Sequence, residues 1–294
     1  MRQKVAIFGS AGQLGTDLVD VLRHGNKFDV IPLSHADCDC TRADEVHGVL
    51  GRLRPEIVIN SAAFVHVDDC EDHARTAFHV NAIGALNIAR ACVEHEAFCI
   101  YISTDYVFDG AKATAYIESD PTRPINVYGA SKLAGEFLVQ QTAPRWLIVR
   151  SGSIFGRTGA RAKGGNFIET ILAKAKIGES LTIVNDMRMS PTYTRDVAAA
   201  LVQLLETGAE GIVHVANEGA CSWYEFATQA LELTSIQTTI APVFSTEYPT
   251  RARRPKNSAL QTQRSLVKLR SWQAGLEAYL IEKGHIEARL RDDR

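Results

Sequence analysis

A glycine-rich loop near the N-terminus constrains the fold more than any other feature of this sequence. The β-prone run at residues 4–8 leads into Gly9-Ser10-Ala11-Gly12-Gln13-Leu14-Gly15, and an amphipathic pattern follows at residues 16–22. Glycines permit a tight turn and close backbone approach, while the next helix presents free N–H groups to a pyrophosphate. A strand, a glycine turn and a helix in this order favour dinucleotide binding over an ordinary β-turn-α loop.

Short apolar runs alternate with helical patterns through the first half of the chain. The strand-like runs after the first are residues 28–33, 57–60, 98–104 and 146–150, and the helical patterns between them are residues 41–53, 74–94 and 128–141. Repeated β-α-β units build a parallel sheet, and right-handed crossovers bring the strand C-termini to one edge. The sequence therefore predicts an α/β fold with a Rossmann-type, doubly wound parallel sheet.

The pattern changes after residue 155. Residues 156–165 form a polar, basic, glycine-rich loop, which could be a lid over an anionic substrate or a flexible insertion. We expect residues 1–155 to form the dinucleotide-binding domain, together with a helix and strand around 194–216 that return to it. We expect residues 156–294 to form mainly a smaller α/β substrate-binding region.

A Y-x-x-x-K pair, Tyr128 and Lys132, supplies the first catalytic candidates. Residues four apart share a helix face, and a nearby ammonium lowers the pKa of a phenol, so Tyr128 could transfer a proton. Alone, such a pair is usually a solvated tyrosine and lysine. Several segments that follow strand ends, however, are expected to line one crevice with the Tyr128–Lys132 pair. They are Thr104, the glycine loop, Ala62-Ala63 and residues 151–153.

Other candidates on this edge keep two interpretations open. The tip of the second strand is Ser34-His35, neither the acid that favours NAD nor the arginine that favours NADP. Asp39 and Cys40 could flank an adenine or form a plain turn. His66 could face the cleft or belong to a solvated acidic loop. The basic run around Arg254 could grip a phosphate or be solvated.

Composition excludes several classes of protein. The net charge is -2, from 32 basic and 34 acidic residues, which provides no overall basic field for nucleic acid. No apolar run approaches the ~20 residues of a membrane span. The six cysteines lack a C-x-x-C pair, and Cys38 and Cys40 with His35 do not match zinc spacing. We expect reduced thiols, no metal site, no secretory leader and a cytoplasmic location.

A set of motifs spread over nearly the whole chain carries a family resemblance. The motifs are the glycine loop, NSAAFVHVDDCE at residues 60–71, STDYVFDG at 103–110, YGASKLAGE at 128–136, SPT at 190–192 with DVA at 196–198, SWYEF at 222–226 and RPKNSAL at 254–260. In this order and spacing the chain resembles the dTDP-4-dehydrorhamnose reductase family of extended short-chain dehydrogenases/reductases.

The resemblance implies roles for individual residues. Thr104, Tyr128 and Lys132 match the catalytic triad of the family, and Thr104 and Asp105 match its substrate contacts. The matched cofactor contacts are Gly12, Gln13, Leu14, Ser34, Asp39, Cys40, Ala63, Phe64, Val65, Ile102, Tyr128 and Lys132. The glycine loop and the strand-end position add Gly9 and Ala62 to the cofactor side, and we add His66, Ser153 and Arg254 to the substrate side.

The implied activity is reduction, with NADPH or NADH, of the 4-keto group of a nucleotide-linked 4-keto-6-deoxy sugar, with dTDP as the expected nucleotide. Three departures leave details open. Ser153 replaces a usual aromatic that packs against the sugar, Ser34 replaces a usual aspartate, and the loop at residues 156–165 is longer and more basic than is typical. One alternative is a cofactor-binding regulatory subunit similar to the methionine adenosyltransferase β subunit. Another is an epimerase or dehydratase, but Asp105 is followed by Tyr106 where a dehydratase would want a second carboxylate. A homodimer is left open.

Overall fold

The computed structural model describes residues 2–159 and 165–288. The basic loop predicted at residues 156–165 therefore lies partly outside the described residues. Its two interpretations, a lid and a flexible insertion, stay predictions.

Strands and helices alternate from the N-terminus as the apolar pattern predicts. In chain order the strands are β1 Gln3–Phe8, β2 Phe28–Leu33, β3 Ile57–Asn60, β4 Phe98–Thr104, β5 Trp146–Ser151, β6 Ile154–Phe155, β7 Leu181–Val184, β8 Arg188–Met189, β9 Thr192–Tyr193, β10 Gly211–His214, β11 Cys221–Ser222 and β12 Ile240–Val243.

The helices fill the intervals between these strands. They are α1 Gln13–His24, α2 Ala43–Leu53, α3 Val67–Asp72, α4 Ala74–Phe78, α5 Gly84–Glu94, α6 Val127–Thr142, α7 Phe167–Lys176, α8 Thr194–Glu206, α9 Trp223–Thr234 and α10 Trp272–Glu282. A π-helical turn, His79–Ile83, joins α4 to α5, and 3-10 turns span Asp105–Val107 and Ser245–Glu247.

Six strands form the central sheet in the order β10-β5-β4-β3-β1-β2, and every neighbouring pair is parallel. All four residues of β3 are buried, as expected for a parallel strand covered on both faces. The strand order reverses between β1 and β3. A ligand of such a sheet binds outside the strand C-termini at this reversal.

Side-chain alternation along β1 builds a core on each face of the sheet. Val5 and Ile7 pack with α1 and α8, whereas Ala6 and Phe8 pack with α2, α5 and α6. Helix α1 contributes Leu14, Leu18 and Leu22, spaced so that they share one helix face. Helices on both faces confirm the predicted doubly wound α/β fold.

A third apolar core lies in the second half of the chain. It gathers buried residues of α7, α9, α10 and β7, including Ile168, Phe226 and Leu276. Small strand pairs edge this region: β6 with β9, β7 with β12, and β8 with β11. Helix α8 and strand β10 also come from the second half of the chain, but they belong to the central sheet and its helices. Helix α8 packs on α1, and β10 pairs with β5.

None of the helices in residues 2–159 and 165–288 has both the length and the apolar character of a membrane span. All six cysteines are buried, as expected for core thiols that form no disulfide.

Candidate active site

A cleft of about 730 Å³ opens where the strand order reverses. The glycine loop, the ends of β3, β4 and β5, and the start of α6 line it. So do residues of α7 and α9, from the third core. The cleft therefore spans both regions of the chain.

The glycine loop leaves the backbone exposed to this cleft. Gly9 has a φ of +73°, and a Cβ placed there would lie 2.6 Å from the backbone nitrogen of Ala62. A Cβ on Gly15 would lie 2.1 Å from the carbonyl oxygen of Gly9. Gly12 precedes α1 and has no side chain to cap its free N–H groups. These features fit the pyrophosphate of a dinucleotide, whose charge the helix N-terminus would stabilise.

Asn81, in the π-helical turn, fixes the loop after β3. Its side chain accepts a hydrogen bond from the Phe64 nitrogen at 2.8 Å and donates to the Phe64 carbonyl at 3.1 Å and to the Ser131 hydroxyl at 2.9 Å. Asn81 is fully buried. An asparagine is mildly unfavourable inside a helical pattern, and its presence at residue 81 is the sequence signal that could have found this role. Its bonds go to a cleft loop and to α6.

The three catalytic candidates converge at the end of β4 and the start of α6. Asn126 caps α6 by accepting a hydrogen bond from the Gly129 nitrogen at 2.8 Å, which sets Tyr128 in the first turn. The Thr104 hydroxyl donates to the Asp105 carboxylate at 3.0 Å, and Tyr128 lies close enough to Thr104 for this hydroxyl to act on the phenol. The Lys132 ammonium donates to the Ile102 carbonyl at 2.7 Å. All three candidates line the cleft.

Burial decides the protonation of this cluster. It raises the pKa of Tyr128 above its ordinary value, although the Thr104 hydroxyl acts in the opposite direction. Burial also lowers the pKa of Lys132 to about 7. We expected the ammonium to lower the pKa of Tyr128, and the structure differs because desolvation of the phenol dominates. Tyr128 is therefore a neutral phenol near pH 7, able to donate a proton.

The predicted cofactor-side residues all line the same cleft. They are Gly9, Gly12, Gln13, Leu14, Ser34, Asp39, Cys40, Ala62, Ala63, Phe64, Val65, Ile102, Tyr128 and Lys132. At the tip of β2, the Ser34 hydroxyl donates to the Asp37 carboxylate at 2.6 Å. Asp37 thus places an acidic group close to the tip of β2. The sequence analysis considered only Ser34 and His35 at this tip.

The substrate-side candidates divide into two groups. Thr104, Asp105 and Ser153 line the cleft, and Ser153 holds a φ of +46°. His66 and Arg254 lie outside the residues described as lining it.

The basic run that contains Arg254 is paired with the acids of α3. Arg254 donates to Asp68 at 2.7 Å, and Arg251 donates to Asp69 at 2.9 Å. His66 is the N-cap residue of α3, and its Nδ1 lies 3.1 Å from the Asp69 carboxylate. These ion pairs engage two cations of the run, Arg251 and Arg254, within the protein. A phosphate contact of the run stays a prediction.

Aromatic residues from the third core form a wall of the cleft that sequence reasoning did not assign. Phe167 at the start of α7 and Trp223 at the start of α9 both line it, with Phe155 and Phe226 behind them. The Phe167 and Trp223 rings meet edge to face with centroids 4.8 Å apart. Both residues are half-buried, so part of each ring remains accessible.

One group of potential metal ligands occurs in the described part of the chain. His47, Glu94 and His95 hold ligand atoms within 4.8 Å of one another, on α2 and at the end of α5. His47 is ion-paired with Glu94 at 2.5 Å. These three residues lie outside the cleft lining.

The fold and the cleft together define the class of this protein as a dinucleotide-dependent oxidoreductase of the short-chain dehydrogenase/reductase type. Comparison with known proteins narrows this class to one family. Residues 3–284 match the family described as "RmlD substrate binding domain". The chain belongs to this family of dTDP-4-dehydrorhamnose reductases, as its motifs predicted.

Individual relatives match over nearly their full lengths. The spore coat polysaccharide biosynthesis protein SpsK of Bacillus subtilis is 38% identical over 95% of this chain and 98% of its own. The dTDP-4-dehydrorhamnose reductase of Aggregatibacter actinomycetemcomitans is 35% identical over 87% and 90%. A crystal structure of the Bacillus anthracis dTDP-4-dehydrorhamnose reductase in complex with NADP superposes with a TM-score of 0.92, 36% identity, and coverage of 96% and 100%. The predictions of an NAD(P)-dependent oxidoreductase and a nicotinamide cofactor are confirmed.

Proposed function

We propose that this chain reduces the 4-keto group of a nucleotide-linked 4-keto-6-deoxy sugar, with dTDP as the nucleotide and NADPH or NADH as the reductant. The observation that carries the proposal is the convergence of Thr104, Tyr128 and Lys132 in the cleft that also holds the glycine loop. Relatives named dTDP-4-dehydrorhamnose reductase support the substrate class.

Each of the three residues has a distinct task in this reaction. The bound cofactor supplies the hydride to the carbonyl carbon. Tyr128, a neutral phenol near pH 7, donates the proton to the carbonyl oxygen. Thr104 donates a hydrogen bond that orients this oxygen. Lys132 stabilises the negative charge that develops there and holds the nicotinamide ribose.

The division of labour along the chain is part of the proposal. Residues 1–155, with α8 and β10, would bind the cofactor, and the remaining residues from 156 onward would bind most of the sugar nucleotide. Asp105 and Ser153 are the cleft candidates on the substrate side. His66 and Arg254 would act only indirectly, by supporting α3 beside the cleft. A cytoplasmic location and a homodimer stay predictions.

The experiment is a cofactor-oxidation assay with dTDP-4-keto-6-deoxy-L-mannose. We expect turnover with NADPH or NADH, and a loss of at least about a hundredfold in kcat for Tyr128→Phe, the scale of removing a general acid. Cofactor binding should persist in Tyr128→Phe, because the glycine loop is unchanged.

The alternative of a regulatory subunit is not favoured, because all three catalytic candidates are present and lie together. It makes an opposite prediction in the same assay. If the wild-type protein binds the cofactor but turns over none of a panel of nucleotide 4-keto sugars, the reductase proposal fails and the regulatory alternative replaces it.

A further inference from the structure

A buried ion pair lies behind the catalytic candidates. Arg150 on β5 donates to Glu136 on α6 through Nε at 2.9 Å and Nη2 at 2.6 Å. The Ser103 hydroxyl donates to the same carboxylate. Glu136 is 0% exposed and Arg150 is 3% exposed. Charges withdrawn this far from water are costly unless such contacts compensate them.

The position of Glu136 connects it to the two elements that carry the catalytic candidates, α6 and β4. It follows Lys132 by four residues on α6, so the two side chains share a helix face. Ser103 immediately precedes Thr104, and Arg150 is the register partner of Ser103 between β4 and β5. One carboxylate therefore ties the helix that carries Tyr128 and Lys132 to the strand that ends at Thr104.

The same carboxylate is the anion that acts on Lys132. Lys132 is 2% exposed, and its ammonium lies 4.0 Å from the centre of the Tyr101 ring. Burial lowers its pKa to about 7, and the charge of Glu136, followed by that of Cys40, acts against this shift. Tyr128, one turn earlier on α6, and Asp105, directly after Thr104, are the other titratable groups of the cluster that line the cleft.

We propose that Glu136 is a positioning residue that keeps Lys132 protonated and holds the Tyr128–Lys132 turn of α6 against Thr104. The inference rests on the proposed reductase function, because that reaction needs a charged Lys132. Arg150 and Ser103 hold the Glu136 carboxylate in place.

The sign of the effect follows from the charge. Lys132 loses its proton as the pH rises through its pKa, so kcat/KM should fall on the alkaline side. Without the negative charge of Glu136, this loss should occur at a lower pH. Arg150→Met has a different effect, because the carboxylate stays and loses the cation that neutralises it.

The test is an NMR titration of the full chain carrying 13C-labelled lysine, with the Lys132 signal assigned from its disappearance in Lys132→Met. In Glu136→Gln we expect the pKa of Lys132 to fall by about one unit or more. In Arg150→Met it should stay or rise. The alkaline limb of kcat/KM should move in the same directions.

A merely structural role of Glu136 predicts a different result for the pKa of Lys132. If both variants lower the pKa of Lys132, or if Glu136→Gln leaves it unchanged, the proposal is wrong. Should Glu136→Gln fail to fold, the double variant Glu136→Gln/Arg150→Met removes both charges together, a change that buried pairs tolerate better. It should lower the pKa of Lys132 as well, and a wild-type value would contradict the proposal.

Two further observations separate this proposal from the reductase function. Glu136→Asp keeps the charge and should restore a pKa near that of the wild type. The titration needs no turnover, so a wild type that reduces no sugar would overturn the reductase proposal while the pKa shifts still decide the role of Glu136.

Discussion

At the residue scale, Gly9 is the position in the glycine loop where a Cβ cannot be accommodated. Gly9 combines a positive φ with a space in which a Cβ would meet the backbone of the β3 loop. Neither constraint can be relieved by moving a flexible side chain, since the atoms in contact belong to the backbone of Ser61 and Ala62. The glycine is therefore required by the structure of the loop as well as by the ligand.

Gly9→Ala should weaken both the fold and the cofactor site. We expect the free energy of unfolding to fall by at least about 1 kcal/mol, the usual cost of a strained backbone conformation. NADPH affinity should fall by at least about tenfold, or about 1.4 kcal/mol. Urea unfolding and fluorescence titration would measure the two effects.

Gly48→Ala is the matched control. Gly48 lies in α2, where an added Cβ meets nothing within 4 Å. Because alanine favours a helix, this variant should keep its NADPH affinity and gain up to about 1 kcal/mol in stability. Equal loss of affinity in both variants would show that Gly9 has no special role.

At the scale of the element, the starts of α7 and α9 change the interpretation of Ser153. The sequence placed a serine where the family usually carries a sugar-packing aromatic, which weakened the rhamnose assignment. The structure brings Phe167 and Trp223 into the same cleft. An aromatic surface is therefore present, although it comes from two helices that lie far along the chain from Ser153.

Trp223→Ala should raise KM for the sugar nucleotide by about tenfold, or about 1.4 kcal/mol, because the substrate loses an aromatic face. Phe167→Ala should act in the same direction. NADPH affinity should change little, since none of the predicted cofactor contacts comes from α7 or α9. Steady-state kinetics with each ligand varied separately would measure this.

Phe244→Ala provides the comparison for these two variants. Phe244 is 66% exposed and lies outside the cleft lining. Its kinetics should match the wild type. If Trp223→Ala lowers only kcat, or weakens NADPH binding as much as sugar binding, the aromatic wall does not serve the substrate.

At the scale of the whole molecule, a segment from the C-terminal half fastens the two regions beside the cleft. The chain around residue 254 lies against α3 and the start of α6. Ala252 donates its backbone N–H to Asp68 at 2.8 Å, and Asn126 donates to the Arg253 carbonyl at 2.9 Å. Arg254 pairs with Asp68 in a half-buried position, with side chains 22% and 29% exposed.

Arg254→Met should lower the free energy of unfolding by about 1–3 kcal/mol, because it leaves the Asp68 carboxylate partly buried without its cation. Arg251→Met should cost less than about 1 kcal/mol, since its pairs are exposed. Urea unfolding of both variants would measure this difference. Equal losses would show that burial of the Arg254 pair contributes nothing.

The sequence by itself determined the parts of this protein that depend on local order along the chain. The short apolar strands, the amphipathic helices and the glycine loop specify the parallel sheet and its ligand edge, because strand C-termini must meet there. The Y-x-x-x-K spacing placed Tyr128 and Lys132 on one helix face.

Only the tertiary structure decided what depends on residues distant in the chain and on exclusion of water. The bonds from Asn81 to the Phe64 loop, the pairing of Arg254 with Asp68, and the aromatic wall all join segments whose distance no local pattern encodes. The pKa values of Tyr128 and Lys132 followed burial, whereas the sequence showed only their spacing. Spacing predicts which groups can meet, but the energy of a charge depends on how completely folding removes it from water.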